Sequence, residues 1–398
     1  MKKLILAFTL LTFSTSLQSQ TMHIVNAGNY YYQPTDLSIT QGDSVKFVND
    51  NGYHDVLITS GPEVLSLPAC SGPCDIGVLV FNTPGDYEYI CSIGSHSSLG
   101  MVGTISVSEN NQTVAFQPQT KEELQAAVNL WVSDNETALE AYGEINTWDV
   151  SFMTDMKMLF AGMTPFNDDL SNWDLSNVVD MDQMFFNATS FNQNLDLWDV
   201  SNVNTMERMF DSAENFNGDI SSWNVSNVTS MYKMFYEANT FNQDISDWDV
   251  SNVVDMKLMF SHSYNFNSDL SQWNVSNVTR MEAMFAHNYD FNSDLSAWNV
   301  SNVTDMDNMF LHARSFNQDI SDWDVSNVTE MMQFFREAHA FNQDLSSWDV
   351  SNVITMEFIF FNALALSDEN KCLFHTSWST NTAWPYDWSG LCTSLYAN

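Results

Sequence analysis

The sequence predicts a multidomain protein in which an all-β sandwich is followed by a solenoid of 25-residue repeats. Short β-rich runs separated by turn residues occupy the first quarter of the chain, and a polar linker follows them. In the second half a tryptophan recurs every 25 residues. A fixed period of that length is typical of one supersecondary unit stacked on copies of itself. The tryptophans are Trp148, Trp173, Trp198, Trp223, Trp248, Trp273, Trp298, Trp323 and Trp348.

The first 20 residues have the features of a secretory signal peptide. A basic start precedes an apolar run over residues 4–13, and a polar stretch ends near Gln20. The apolar run is too short to span a bilayer, so we expect residues 1–20 to be removed on export. No later stretch is long and apolar enough to cross a membrane, so no transmembrane segment is predicted after cleavage.

The charge balance restricts the class of partner. The 398 residues include 12 basic and 50 acidic side chains, for a formal net charge of −38. A surface of this sign repels nucleic acid and anionic lipid, so neither is an expected partner. Cations, basic proteins and neutral glycans are better suited. A second interpretation stays open, in which the acidity only keeps an extracellular protein soluble.

Residues 21–109 are predicted to form the β-sandwich. Five runs rich in β-branched and aromatic residues alternate with turn chemistry, such as the segment 82–86. Strands at this spacing are typical of a sandwich. The five runs are 37–40, 45–48, 78–81, 87–91 and 101–107.

Four residues of this domain form the ligand set of a type 1 copper site. Cys91, His96 and Met101 lie on one segment between two predicted strands, and His54 lies on a neighbouring strand. Two imidazoles, one thiolate and a weak axial thioether are the donors of blue-copper centres, so we predict one copper ion. Two alternatives stay open: a copper-free sandwich with a buried cysteine, and zinc in the same site, although a thioether favours copper.

Residues 22–108 resemble the plastocyanin/azurin family of cupredoxins. The resemblance implies a cupredoxin sandwich in which the four residues just named bind one copper that passes one electron. Two departures bear on the hydrogen bonds around the ligands and on the potential. Four residues separate Cys91 from His96, as in azurin-like loops, and Asp55 stands where the family often has asparagine. The matching segments are Gly42-Asp43-Ser44-Val45, the His54 strand, Tyr87-Glu88-Tyr89-Ile90-Cys91 and Gly100-Met101-Val102-Gly103.

The chain has five cysteines, an odd number that leaves one thiol unpaired if the others form disulfides. An exported chain permits such bonds. Cys70 and Cys74 lie in a turn-rich loop, where we predict a local disulfide. A second metal site is the alternative there, although no histidine is near in the sequence.

The second half is predicted to be a capped array of nine coils. A capping box at residues 120–123 opens a helix that seals the first coil. The predicted parts are a linker (110–118), an N-terminal capping helix (119–147), the coils (148–365) and a C-terminal cap (366–398).

Each coil is predicted to contain a short strand and a short helix or turn. Trp323 and Val325 alternate with polar residues, as in a strand, whereas Val328, Met331 and Phe335 have helical spacing. Serine and asparagine recur after the core valine, and we expect them to hydrogen-bond neighbouring coils. A methionine column is predicted to be packing rather than a metal relay: Met181, Met206, Met231, Met256, Met281, Met306, Met331 and Met356.

The repeats resemble those of the BspA-like leucine-rich-repeat surface proteins of bacteria. The matching motif is Phe-Asn-x-Asp-Ile/Leu-Ser-x-Trp-Asp-Val-Ser-Asn-Val-Thr-x-Met-x-x-Met-Phe, repeated over residues 145–365. The resemblance implies a leucine-rich-type solenoid on a protein that is secreted or displayed at the cell surface of a bacterium, with a role in adhesion through a protein or glycan ligand. Cys372 and Cys392 are predicted to pair and to fix the C-terminal cap.

Two further columns are candidate ion sites. The residue after each tryptophan is Asp or Asn, and strand spacing would place these side chains about 4.8 Å apart. Bound calcium would relieve their repulsion, and a solvated acidic face is the other interpretation. His262, His287 and His312 also fall one period apart, and could be a transition-metal or pH-sensitive patch or scattered surface histidines. The aspartates of the predicted ladder are Asp149, Asp174, Asp199, Asp249, Asp324 and Asp349.

The motifs favour a binding protein over an enzyme. The sequence contains no Gly-x-Ser-x-Gly, His-Glu-x-x-His or phosphate-loop motif. We therefore predict a non-enzymatic, exported copper protein with a one-electron site and a solenoid that contacts a protein or glycan. The alternative is a dedicated extracytoplasmic electron carrier whose repeats only dock it to a redox partner protein or to the cell surface.

Overall fold

The computed structural model describes residues 21–109 and 115–395. The predicted signal peptide, residues 1–20, and the first part of the predicted linker, 110–114, lie outside the described residues. The chain divides into two compact units, with the boundary between residues 112 and 113. Within the described ranges, no helix combines the length and the apolar character that a membrane span requires.

The first unit is a sandwich of two β-sheets. Its described strands are β1 (Met22–Gly28), β2 (Tyr31–Gln33), β3 (Asp36–Thr40), β4 (Ser44–Asn49), β5 (Tyr53–Ser60), β6 (Ser66–Ser71), β7 (Cys74–Val80), β8 (Gly85–Ile90) and β9 (Val102–Ser108). One sheet has the order β2-β1-β4-β7 and the other β3-β9-β8-β5-β6. The pairs β1/β4 and β3/β9 are parallel, and the remaining pairs are antiparallel.

Alternating apolar side chains fill the space between the sheets. Val25, Phe47, Tyr87 and Ile105 come from four different strands, and none has exposed surface. This alternation follows from the two-residue period of a strand, which sends successive side chains to opposite faces. The five predicted runs correspond to β3, β4, β7, β8 and β9, whereas β1, β2 and β6 were not predicted.

A disulfide joins Cys70 to Cys74, as predicted. The prediction that these residues lie in a loop was wrong, because Cys70 belongs to β6 and Cys74 begins β7. Two residues make the turn between the strands. Since β6 is at the edge of one sheet and β7 at the edge of the other, the disulfide links the two sheets.

The second unit begins with two helices where one capping helix was predicted. They are α1 (Lys121–Ser133) and α2 (Asn135–Tyr142), and the Thr120 side chain caps α1 by accepting a hydrogen bond from its first turn. Asp134 separates the helices, because its side chain accepts a hydrogen bond from Thr137 N and so starts α2.

The nine coils consist of turns, so the predicted strand and helix in each coil were wrong. Regular pairing between described coils is limited to one parallel bridge per neighbouring pair, and the segment with helical spacing is a series of turns. The bridges join positions 25 residues apart, from Asp155 and Asp180 at one end to Glu330 and Thr355 at the other. The 25-residue periodicity of the sequence is therefore also the periodicity of the backbone.

Left-handed residues explain why no helix forms in a coil. Arg208 and Ser212 have φ angles of 55° and 60°, which a right-handed helix does not contain. The backbone donors also divide between two kinds of partner. Met209 N donates to Met206 O inside the turn at 3.2 Å, whereas Arg208 N donates to Tyr232 O of the next coil at 2.8 Å. Contacts with the next coil thus replace the hydrogen bonds of a helix.

Tryptophan and methionine columns form the core of the second unit. Trp173 Nε1 donates to Ile145 O at 2.8 Å, and the indoles of the later coils repeat this bond to the carbonyl 28 residues before them. Trp223 and Trp248 are stacked with ring centroids 6.3 Å apart. All members of the predicted methionine column are fully buried, which confirms that the column is packing.

Asparagine amides connect each coil to its neighbour, as predicted. Asn252 Nδ2 donates to Ser226 O at 2.7 Å, and seven equivalent bonds occur along the array. A second asparagine column was not predicted. In it, Asn217 Oδ1 accepts a hydrogen bond from Asn242 N at 2.9 Å. Both columns satisfy polar groups that stacking would otherwise leave unpaired.

Two helices follow the last coil. In α3 (Asp368–Trp378), Trp378 stacks on Trp348 with ring centroids 6.4 Å apart, so it extends the aromatic core. The second helix is α4 (Ser389–Leu395). A disulfide between Cys372 and Cys392 joins the two helices, as predicted.

Candidate metal centre

The segment between β8 and β9 carries three of the four predicted copper ligands. Cys91 follows the last residue of β8, and Met101 precedes the first residue of β9. Backbone bonds close the segment: Cys91 N donates to Met101 O at 3.2 Å, and Met101 N donates to His96 O at 3.1 Å. Gly100, with a φ of 101°, permits the sharp return. The backbone therefore fixes the three ligands relative to one another.

His54 reaches the same point from β5. Its Nδ1 lies 3.2 Å from His96 Nδ1 and 3.7 Å from Cys91 Sγ, and that sulfur lies 3.3 Å from His96 Nδ1. A point equidistant from these three atoms is about 2 Å from each, which matches a metal–nitrogen bond. In the described ranges, no other three His, Cys, Asp or Glu side chains bring ligand atoms within 4.8 Å of one another. The donors thus fit a single ion.

Burial makes this a dry site with soft donors. Cys91 and Met101 have no exposed surface and belong to the same apolar core. His54 is also buried, whereas His96 is partly exposed and meets the edge of the Tyr30 ring at a centroid distance of 5.0 Å. A thiolate and a thioether in apolar surroundings favour copper over hard cations.

Burial also sets the protonation states of the ligands. It raises the pKa of the Cys91 thiol, and hydrogen bonds from the Asp55 and Ile93 backbone oppose that rise. Desolvation, reinforced by the neighbouring His96, lowers the pKa of His54. His54 is therefore neutral at neutral pH, which is the form of imidazole that binds metal. The thiol is expected to lose its proton when a metal binds.

Asp55 holds the ligand segment against β5. Its Oδ1 accepts a hydrogen bond from Ser92 N at 2.7 Å, and its Oδ2 accepts one from the Ser92 hydroxyl. The Tyr32 hydroxyl donates to the Asp55 carbonyl. Because Asp55 follows His54 and Ser92 follows Cys91, these bonds fix the separation of two ligands. An asparagine would offer one acceptor oxygen here, whereas the aspartate offers two and carries a charge.

Comparison with known proteins agrees with this geometry. A family model described as copper binding proteins, plastocyanin/azurin family, matches residues 20–108. Plastocyanin of Prochlorothrix hollandica is 35% identical over 113 residues, which cover 26% of this chain and 85% of that protein. A second family model, described as Mycoplasma protein of unknown function, DUF285, matches residues 130–245, 218–313 and 290–383, together more than half of the chain. The chain belongs to the DUF285 family, with a plastocyanin/azurin domain before the repeats.

Other relatives match the plastocyanin/azurin domain alone. Chloroplastic plastocyanin of Physcomitrium patens is 33% identical over 86 residues, and the match covers 19% of this chain and 50% of that protein. Among solved structures, a reduced amicyanin variant is 24% identical, with a TM-score of 0.19 and coverage of 22% of this chain and 81% of that chain. Auracyanin B is 20% identical, with a TM-score of 0.20 and coverage of 24% and 93%.

This DUF285 protein therefore carries a type 1 copper site with His-Cys-His-Met donors in its plastocyanin-like domain. The donor atoms, their burial and the relatives all agree with the predicted copper cofactor. Domains of this family are typical of non-enzymatic electron carriers. The DUF285 match covers the repeats and gives them no function.

The Asp and Asn column after the tryptophans is engaged in local turns. Asp249 Oδ1 accepts a hydrogen bond from Ser251 N at 3.1 Å, and the other eight members make the same bond. Serine hydrogen bonds lower the pKa of Asp174, Asp249, Asp324 and Asp349. The serines thus stabilise these carboxylates without an ion, and the calcium ladder stays a prediction.

His262, His287 and His312 form a contiguous stack rather than scattered surface residues. Their ring centroids are 4.2 and 4.6 Å apart, with interplanar angles of 18° and 14°. Desolvation lowers the pKa of all three, to about 4 for His287. The stack is therefore neutral at neutral pH.

One residue of the copper site was not predicted. Gly52 has a φ of 86°, and a Cβ atom built on it would be 2.6 Å from His54 Nε2. The Asn51-Gly52 pair is a turn signal in the sequence, but a turn signal does not show that the glycine contacts a ligand. Tyr30, beside His96, carried no sequence signal of its own.

Proposed function

We propose that this protein is an exported copper protein that passes one electron at a time, and that its repeats form a leucine-rich-type solenoid that binds a protein or glycan. One observation carries the redox part: the donor atoms of His54, Cys91 and His96 converge to within 3.2–3.7 Å of each other. Copper held by such donors supplies a one-electron couple.

The surrounding residues would keep the ligands fixed while that couple changes charge. The closed Cys91–Met101 segment and the Asp55–Ser92 bonds restrict ligand movement. Aromatic rings of Tyr32, Phe47 and Tyr89 pack edge to face in the core of the same domain and exclude water. His96 is the exposed ligand, so we place the path of the electron at its ring edge, beside Tyr30.

Addition of Cu(II) to the purified full chain tests the redox part. One equivalent should give an intense visible absorption band that bleaches on one-electron reduction. The Cys91→Ser variant should lack the band. His23→Gln is the matched control and should retain it, because His23 bonds to Asp43 and not to the ligands. A wild-type chain that stays colourless with copper would reject the proposal.

The contact role of the repeats is supported by how the coils share their polar groups. Backbone and asparagine groups are used between coils, which leaves outward side chains free to differ from coil to coil. On one side of the array, Tyr264 and Tyr289 stack with centroids 5.2 Å apart, and Arg314 lies over Tyr289 at 4.6 Å. Tyrosine and arginine are enriched at interfaces that bind partners.

The dedicated electron carrier, with repeats that only dock it to a redox partner or to the cell surface, is the second candidate. Each unit has its own apolar core, so the two units can be produced separately. Their binding to immobilised neutral glycans and basic proteins should be compared with that of the full chain. Retention of the repeat unit alone supports the contact role, whereas retention of the first unit alone supports the carrier.

Export is part of the proposal, with the secreted space or a bacterial cell surface as the destination. The predicted leader at residues 1–20 supports it, as do two disulfides, which persist in oxidising compartments. Fractionation of cells that express the full chain tests it, and protein found only in the cytoplasm would contradict it.

A further inference from the structure

Two histidines and a glutamate from neighbouring coils meet on the side of the repeat array. His312 and Glu337 occupy the same turn position in successive coils, with φ angles of 58° and 61°. His312 N donates to Arg336 O at 2.8 Å, so the backbone places its coil directly against that of Glu337. His339 lies two residues after Glu337, on the same turn. The repeat thus brings three donor side chains to one place.

The distances within this group do not suit hydrogen bonds. Glu337 Oε2 lies 3.9 Å from His312 Nδ1 and 3.6 Å from His339 Nε2. Both distances exceed the usual range for N–H···O bonds. Among the described residues, neither nitrogen has a hydrogen-bond partner, and both atoms are buried. Buried polar nitrogens without partners are costly, so two of them facing one carboxylate oxygen require a physical reason.

A shared metal ion supplies that reason. Ligand atoms about 2.1 Å from one tetrahedral ion are separated by about 3.4 Å, close to the two observed separations. We propose that His312, Glu337 and His339 bind a divalent transition-metal ion, for which Zn²⁺ is the best match. Two imidazoles and one carboxylate are a known zinc donor set that leaves a fourth position for water.

Neighbouring residues support the proposed ligands. The His287 ring stacks on His312 at 4.6 Å and restrains its orientation. The Asn362 side chain hydrogen-bonds the Glu337 carboxylate. Partners of this kind hold metal ligands in place and affect metal affinity. Burial lowers the pKa of His312, with Arg314 and Arg336 adding to the effect, so its imidazole is neutral and able to coordinate.

Binding requires a small adjustment of the side chains. In the described ranges, only the copper site has three ligand atoms all within 4.8 Å of one another. The two imidazoles therefore move closer together around Glu337 when the ion binds. Rotation of His339, whose side chain is 31% exposed, accommodates this movement without disturbing the core.

The test uses the full chain with its copper site already filled. One equivalent of Cu(II) is added first, and the visible band shows throughout that copper stays in place. Zn²⁺ is then titrated by calorimetry in excess Ca²⁺, which occupies exposed carboxylates. We expect one further equivalent of zinc and a higher unfolding temperature of the repeat unit. His312→Gln and His339→Gln should each weaken zinc binding at least about tenfold.

His375→Gln is the matched control, since His375 lies in α3 outside the proposed site and its loss should leave zinc binding unchanged. If a histidine variant lowers stability without zinc, Glu337→Gln provides an uncharged side chain of similar size, and it too should lose the zinc. The proposal is overturned if no zinc binds beyond the copper, or if the bound zinc survives all three substitutions. Neither result depends on electron transfer.

Discussion

Gly52 lies so close to the His54 imidazole that a Cβ atom at position 52 would be 2.6 Å from Nε2. A Gly52→Ala substitution therefore both strains the backbone, where φ is 86°, and pushes on a copper ligand. We expect the free energy of unfolding of the metal-free first unit to fall by about 1–3 kcal/mol. We also expect weaker copper binding and a shifted visible band. Urea unfolding and a copper titration measure these effects.

Gly42→Ala separates the two causes. Gly42 has a φ of 94°, but a Cβ atom there meets nothing within 4 Å. It should lose similar stability through backbone strain and keep the copper spectrum. If the two variants show the same spectrum and copper affinity, contact between position 52 and His54 has no effect on the ligand.

Removal of the Asp55 charge should raise the reduction potential. An Asp55→Asn variant can still accept the hydrogen bond from Ser92 N, now 2.7 Å long. It no longer places a negative charge near the copper, and that charge favours the more positive oxidised ion. We expect a rise of about 40 mV, equivalent to about 1 kcal/mol for one electron. Spectroelectrochemical titration of the copper-loaded chain measures it.

Asp86→Asn is the control for this prediction. Asp86 is exposed near the start of β8, where it accepts a hydrogen bond from the Ser106 hydroxyl, and the ligands follow the other end of the strand. Its neutralisation should change the potential by much less. A potential that is unchanged or lower in Asp55→Asn would show that the charge is screened from the copper.

An acidic group within the repeats should make stability fall as pH rises. Burial raises the pKa of Asp307 to about 6; the Met332 N–H opposes the rise, and Asp305, Glu330 and Glu282 add to it. Between about pH 4 and pH 6 the folded chain holds a proton that the unfolded chain releases, so this group's contribution is lost as pH rises. Asp307→Asn should increase the free energy of unfolding at neutral pH by about 1 kcal/mol after allowance for solvent screening.

Urea unfolding of the second unit at about pH 4.5 and about pH 7.5 tests this sign. The gain in Asp307→Asn should appear at the higher pH and vanish at the lower one. Asp244→Asn should give no gain at either pH, because Ser246 hydrogen bonds lower the pKa of Asp244. An Asp307→Asn variant that is less stable at neutral pH would contradict the assigned cause.

The indole hydrogen bonds should contribute measurably to the stability of the array. Trp248→Phe removes the donor to Ile220 O, which is 3.2 Å from Nε1, and leaves a buried carbonyl without its partner. We expect a loss of about 2–4 kcal/mol from the unpaired group and the smaller side chain together. Met256→Leu is the control at a fully buried position of the same coil. It should cost less than about 1.5 kcal/mol, because size and polarity are similar.

The sequence predicted the chemistry of the copper site more completely than its support. His54, Cys91, His96 and Met101 could be found because their donor types are rare in combination and three of them share one short segment. The positions of the cysteines likewise predicted both disulfides. The contact between Gly52 and His54 could not be predicted, because it depends on how β5 turns beside the ligand segment.

In the repeats, the sequence predicted which residues are buried but not the path of the backbone. Alternation around Trp323 fits a strand and also fits successive turns, since both send every second side chain inward. Arg208 and Ser212 have left-handed conformations that their residue types do not indicate. The approach of His312 to Glu337 and His339 follows from the stacking of turns, so a strand-and-helix coil would not have revealed it.

Each indole in the array is tied to a carbonyl 28 residues earlier, so every coil is completed by the one that follows it. Because the interfaces are equivalent, loss or duplication of one whole 25-residue coil would leave every remaining interface intact. A deletion of any other length would misalign the indoles with their acceptors along the rest of the array. Variation among descendants of this gene should therefore change the height of the array in whole steps, while the copper domain keeps a constant length.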